Sequence, residues 1–116
     1  MQDVVAYRRA NGAEPYMEFL EEVERAGRRA SKAKIEETVR YLAVFGTQAL
    51  VSAERASQVE GEIWELRPHP YRVMFFHDDE RQRYVLLQGF IKQGQKTPPR
   101  EIENAKRMLE DYYRRR

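Results

Sequence analysis

Four cations, Arg67, Arg72, Lys92 and Lys96, stand at the ends of β-prone runs and in the connection before a last helix. The densest stretch is Gly89-Phe90-Ile91-Lys92-Gln93-Gly94-Gln95-Lys96-Thr97-Pro98-Pro99-Arg100-Glu101-Ile102, where a strand runs out into lysines and a helix opens a few residues later. Upstream, Glu65-Leu66-Arg67 and Tyr71-Arg72-Val73 set guanidinium groups at two further strand ends. Arginine keeps its proton at all ordinary pH and offers a planar fork that fits phosphate oxygens. Such a set suits a phosphate backbone, with Arg67, Arg72, Lys92, Lys96 and Thr97 as the binding residues.

RNA brings its own nucleophile to such a place. Its 2′-hydroxyl attacks the adjacent phosphorus and leaves a 2′,3′-cyclic phosphate, so a protein need supply only alignment, a proton acceptor, a proton donor and cations around the developing charge. DNA cannot react this way. A neighbouring cation weakens a lysine's hold on its proton, so a lysine of the cluster could act as base while the arginines stabilise the pentacoordinate phosphate. His69, in the turn beside the cluster, and Tyr112, on the last helix, are the further acid or base candidates. For Tyr112 the competing reading is plain packing.

At 116 residues the chain is read as one domain spanning 1–116, long enough for a single core. With 34% charged residues and a mean hydropathy of −0.84, residence in a membrane is not expected. The net charge is only +2, so affinity for nucleic acid must come from where charge is placed. No cysteine is present, and His69 and His77 supply only part of a metal shell, so neither a structural zinc nor any cofactor is expected. The start, Met1-Gln2-Asp3-Val4-Val5-Ala6, has neither a basic region nor an apolar run long enough for export, which suggests the cytoplasm.

The elements that must position the cations follow from periodicity. Val4 to Tyr7 reads as a first strand before the turn Asn11-Gly12. Tyr16, Phe19, Leu20 and Val23 then recur at the spacing of one helix face, with Pro15 in the first turn and Gly27 at the end. Ser31 can cap a second helix with the stripe Ile35, Val39 and Leu42, stopping at Gly46. Residues 47 to 61 read as a loop with room for a helical turn. From Glu62 the period becomes two, giving a meander of three strands with turns at Pro68-His69-Pro70 and at the acidic run from Asp78. Thr97 is expected to cap the last helix, whose apolar stripe is Ile102, Ala105, Leu109 and Tyr112, ahead of a frayed Arg114-Arg115-Arg116.

An up-down-up meander returns its third strand to the first turn, so Lys92 should arrive beside Arg67 and Arg72 with the start of the last helix close by. Taken singly, an arginine at a strand end is more often solvated or paired with a carboxylate, and Glu65 is placed to neutralise Arg67. Convergence argues otherwise. The exposed Arg25, Arg28, Arg29, Lys32 and Lys34 form a second basic face, either ordinary surface or a contact for ribosomal RNA or an acidic partner.

Four stretches in order, Asn11-Gly12-Ala13-Glu14-Pro15 into Phe19-Leu20, Ile63-Trp64-Glu65-Leu66-Arg67, Tyr71-Arg72-Val73, and Leu87 to Lys92 with Lys96-Thr97-Pro98, Glu101-Ile102 and Ala105, resemble the HigB-like, phage-derived branch of the RelE superfamily of type II toxins. The resemblance implies an α+β fold of order β-α-α-β-β-β-α, a small mainly antiparallel sheet against an N-terminal helical hairpin and a C-terminal helix. It also implies a ribosome-dependent mRNA endonuclease neutralised by a cognate antitoxin of helix-turn-helix or RelB-like type, reaching operator DNA only through that complex. On this pattern Arg67 and Arg72 hold the scissile phosphate and Lys92 and Lys96 complete the catalytic set. Many relatives carry two consecutive lysines where this chain has Lys92-Gln93. That departure leaves open a degenerate copy that binds antitoxin and regulates transcription without cutting. A general RNA-binding protein is the remaining class, and it lacks the exposed sheet aromatics such modules use. If the cutting reading holds, alanine at Arg67 or Arg72 should abolish toxicity and spare the fold.

Overall fold

The computed structural model describes residues 1–116. It contains β1 (Asp3–Ala6), α1 (Pro15–Arg25), α2 (Arg29–Ser52), β2 (Ala56–Glu60), β3 (Ile63–Leu66), β4 (Tyr71–Asp78), β5 (Arg83–Ile91) and α3 (Pro99–Arg115). The strands form one sheet of order β1-β5-β4-β3-β2. Only the β1–β5 pairing is parallel. No helix is long and apolar enough to cross a membrane.

The sheet separates two cores. On one face α1 and α2 bring Tyr16, Phe19, Leu20, Ile35 and Leu42 onto Leu66, Val73 and Phe75. On the other α3 brings Ala105 and Met108 onto Met74, Phe76, Val85 and Leu87. Burying each large apolar side chain is worth about 1.5–3 kcal/mol, so both helical layers are anchored independently. The α1 layer packs so close that a Cβ on Gly89 would lie 2.4 Å from the Phe19 ring, which only glycine permits.

The fold class is the one expected, with differences in detail. Residues 47 to 61 are more regular than a loop with a helical turn, holding the end of α2 and the whole of β2. Helical structure resumes after Gly46, whose φ of 83° interrupts α2, and the freed Thr47 amide donates to the Tyr84 hydroxyl at 3.2 Å. β2 then joins as an edge strand, so the order has one strand more than expected. Its composition is mixed because its burial is too, with Ala56 buried and Gln58 and Glu60 exposed. Neither Ser31 nor Thr97 caps a helix: α2 starts at Arg29, and Pro98 precedes the first residue of α3. Arg114 and Arg115 are helical rather than frayed.

At the end of α1 the expected glycine stop is present. Gly27 sits at φ 79°, with its amide on the Glu24 carbonyl and the Arg28 amide on the Val23 carbonyl. This left-handed closure satisfies carbonyls that the helix end leaves open.

Candidate nucleic-acid site

Strand parity decides which charges share a face. In β4 side chains alternate, Tyr71, Val73 and Phe75 toward α1 and α2, Arg72, Met74 and Phe76 toward α3. In β5 the pairing runs Phe75 to Leu86 and then Val73 to Gly89, so β5 carries one residue more than β4 between these rungs. Such a bulge reverses parity beyond it. Phe90 therefore pairs with Arg72 on the α3 face, and Lys92 follows it there. Unbroken alternation from Leu87 would have turned Lys92 to the opposite face.

The result is an open concavity of about 420 Å³ at the end of the sheet where α3 begins. Arg67, Lys92, Lys96 and Thr97 line it together with Glu65, Ser57 of β2 and Ile102 of α3. Topology thus gathers these expected residues on one side of one sheet end, as the meander argument required. No carboxylate lies within ion-pair distance of Arg67, Lys92 or Lys96.

Arg72 does not line the concavity; it lies buried beside Glu65. It is 5% exposed; its Nη1 donates to the Tyr71 carbonyl at 2.8 Å, and its Nε faces Glu65 Oε2 at 3.4 Å without hydrogen-bond geometry. Burial lowers its proton affinity, as does the Arg67 charge, and the Glu65 carboxylate opposes both. A guanidinium still keeps its proton. Glu65 therefore pairs with Arg72 and not with Arg67, because Glu65 stands opposite Met74 and reaches the diagonal neighbour on the next strand.

Thr97 does something the sequence did not reveal. Its hydroxyl donates to Glu65 Oε1 at 2.8 Å, while Ser57 Oγ donates to Glu65 Oε2 at 3.4 Å. The bond ties the connection carrying Lys96 to the floor of the site. The sequence pointed Glu65 to a cation but to the wrong one, Arg67 instead of Arg72, and gave no role to Ser57. The carboxylate in Glu65-Leu66-Arg67, at the centre of a strand and on the face of the cations, was the available signal.

The acid or base candidates fall elsewhere. His69 is exposed in the β3–β4 turn and does not line the concavity; its carbonyl accepts from Lys34 Nζ at 3.4 Å. Tyr112 lies at the far end of the sheet, where its hydroxyl donates to Asp78 Oδ2 at 2.6 Å and accepts from Arg83. Burial and then the Asp78 bond raise its pKa, with Arg83 opposing, and its ring packs edge-on to Phe76. The helical spacing of Tyr112 reflected packing.

The second basic face is largely engaged with its own surroundings. Arg25 stands 4.0 Å from Glu21, Lys32 bonds Glu24 at 3.3 Å, and Arg28 donates to the Tyr71 hydroxyl at 3.2 Å. The Arg28 bond is the main reason the Tyr71 phenol is held below its usual range. Arg29 is exposed and has no ion pair. Through Arg28 and Lys34 this face reaches the same sheet end from the opposite side.

Residues 18–110 match the family described as phage-derived protein Gp49-like (DUF891). No curated protein matches. Among solved structures, the chain is similar to the crystal structure of the toxin–antitoxin complex RelBE2 from Mycobacterium tuberculosis, with 14% identity, a TM-score of 0.47, and coverage of 79% of this chain and 100% of that chain. The match over 18–110 takes in most of α1, all of α2, β2 to β5 and most of α3, and with them every lining residue of the concavity: the chain belongs to the phage-derived Gp49-like family.

Proposed function

We propose that this chain is the toxin of a type II toxin–antitoxin pair, and that it cuts mRNA on the ribosome by attack of the 2′-hydroxyl on the scissile phosphate. One observation carries the reading: three cations without a carboxylate partner share an open concavity, whose one lining carboxylate, Glu65, faces a buried arginine instead. Cations crowded without counter-charge repel one another, and an incoming phosphate relieves that cost. Arg67 holds the phosphate, Lys92 and Lys96 neutralise the charge that develops on it, and the buried Arg72 acts through Glu65, which it faces, rather than on the phosphate itself. The basic face with Arg28, Arg29 and Lys34 would meet ribosomal RNA or an acidic segment of the antitoxin, and the chain would work in the cytoplasm.

A 2′-deoxy substitution at the cleaved nucleotide tests the chemistry. The proposal expects no cut at that position in ribosome-bound message and normal cutting elsewhere; scission through a deoxy position would rule out attack by the 2′-oxygen. Gln93, exposed where many relatives carry a second lysine, favours the alternative of a non-cutting antitoxin-binding copy. Expression of the chain alone separates the two, since growth arrest with cut transcripts belongs only to the enzyme.

A further inference from the structure

The geometry points to Thr97 and Glu65 as a proton relay, in which the Thr97 hydroxyl takes the proton of the attacking 2′-hydroxyl while passing its own to Glu65. This rests on the reading of the concavity as an RNA-cleaving centre. Among the residues lining it, Glu65 is the one carboxylate. Carboxylates as a class are free of their proton at neutral pH, whereas ammonium and guanidinium groups hold theirs, so the remaining charged lining groups are donors. Glu65 is only 3% exposed, too deep for a ribose to reach readily. Thr97 bridges that gap, being part-exposed with its hydroxyl 2.8 Å from Glu65 Oε1.

The groups facing Glu65 fit the role of a held acceptor. Ser57 of β2 bonds Oε2 and the Arg72 guanidinium of β4 stands 3.4 Å from it, Arg67 follows the end of β3, Lys92 and Lys96 line the same concavity, and α3 contributes the apolar Ile102. Oε1 is left for Thr97. In the step, the O2′–H bond breaks as the P–O2′ bond forms. The proton moves to Thr97 Oγ1 as the Thr97 proton moves to Glu65. The P–O5′ bond breaks, and the departing 5′-oxygen takes a proton from the ammonium of Lys92 or Lys96. Glu65 ends neutral, one lysine ends neutral, and exchange with water restores both.

The test compares wild type, Thr97→Val, Thr97→Ser and Glu65→Gln on ribosome-bound mRNA, reading kcat, KM and the pH profile. General acid–base assistance contributes about 10²–10⁴-fold. Thr97→Val, which keeps shape and loses the hydroxyl, should lower kcat by at least about 100-fold, leave KM within about threefold and remove the acidic limb of the profile. Thr97→Ser should recover most of the rate. Glu65→Gln should match Thr97→Val, and the double variant should be no worse than either single. A Thr97→Val protein that keeps its rate, or loses it only through KM with the acidic limb intact, reduces the contact to a tether and overturns the relay. Should Glu65→Gln fail to fold with Arg72 unpaired, Thr97→Val decides alone. Absence of cutting by wild type would remove the nuclease reading itself, while cutting by wild type with indifferent variants would remove only the relay.

Discussion

The two ends of the sheet hold comparable numbers of charges and use them in opposite ways. At the β4–β5 turn, Asp78 is fully buried and accepts from the Tyr112 hydroxyl at 2.6 Å, the Arg81 amide at 3.1 Å and Arg116 Nη1 at 2.7 Å. Arg116 continues to Glu80 at 2.6 Å, and Arg83 completes the shell of Tyr112. At the β3–β4 turn a single lining carboxylate faces Arg67, Arg72, Lys92 and Lys96. Matched charge at the far end fastens the last turns of α3 to the sheet. Surplus charge at the near end leaves room for an anion, at a cost in stability that the far end and the two cores offset.

Arg72 breaks this division most severely, since it belongs to both uses. Its alanine variant should lose about 3–5 kcal/mol of stability as well as cutting, because Glu65 would be left buried without its partner; chemical denaturation measures this. With Glu65 left unpaired, Arg72→Ala is no longer expected to spare the fold, whereas Arg67→Ala still is. Lys92→Ala and Lys96→Ala stand at the opposite pole: cutting should fall about 10²–10³-fold, with melting temperature unchanged or slightly raised by relief of repulsion. Asp78→Asn should do the reverse, costing about 3 kcal/mol by thermal denaturation while cutting per folded molecule stays normal. Between the two ends, Gly89→Ala should cost about 1–3 kcal/mol by pressing on Phe19, with no direct effect on charge.

Acid should loosen the far end. Burial pushes the Asp78 carboxyl up, but bonds from Tyr112 and the Arg81 amide and the Arg116 charge outweigh it and hold it below its ordinary range. At Asp111 the bonds from Arg115 and Tyr7 outweigh partial desolvation and bring the pKa to about 2. Groups with lowered pKa stabilise the fold above the unfolded value and lose that contribution as pH falls through the folded one. Melting temperature should therefore drop from about pH 4 toward pH 2, and Asp78→Asn should flatten that slope.

Much of this contrast was legible in residue order. The change of period at Glu62 gave the meander, the meander predicted that Lys92 returns to Arg67 and Arg72, and the acidic run from Asp78 marked the other end. What escaped has physical causes. The bulge that turns Lys92 onto the α3 face comes from an extra β5 residue, and its one mark in the sequence is Gln88-Gly89, a polar residue and a strand-interior glycine that the expectation of a regular strand passes over. β2 escaped because an edge strand half in water lacks strong alternation. The pairings of Glu65 and Thr97 depend on side chains distant in sequence meeting on one face, and local rules suggested a nearer partner or a helix cap for each. Tyr112 fitted a catalytic list by type alone, and only the topology shows it at the matched end.

Arg67 gives the most direct test, because it lines the concavity with its side chain unpaired and its loss leaves the Glu65–Arg72 pair intact. Folded Arg67→Ala and wild type would be compared on ribosome-bound mRNA, with the fragment ends identified by mass spectrometry. Wild type is expected to leave 2′,3′-cyclic phosphate ends and Arg67→Ala almost none at equal melting temperature; equal cutting by the two proteins would contradict the account.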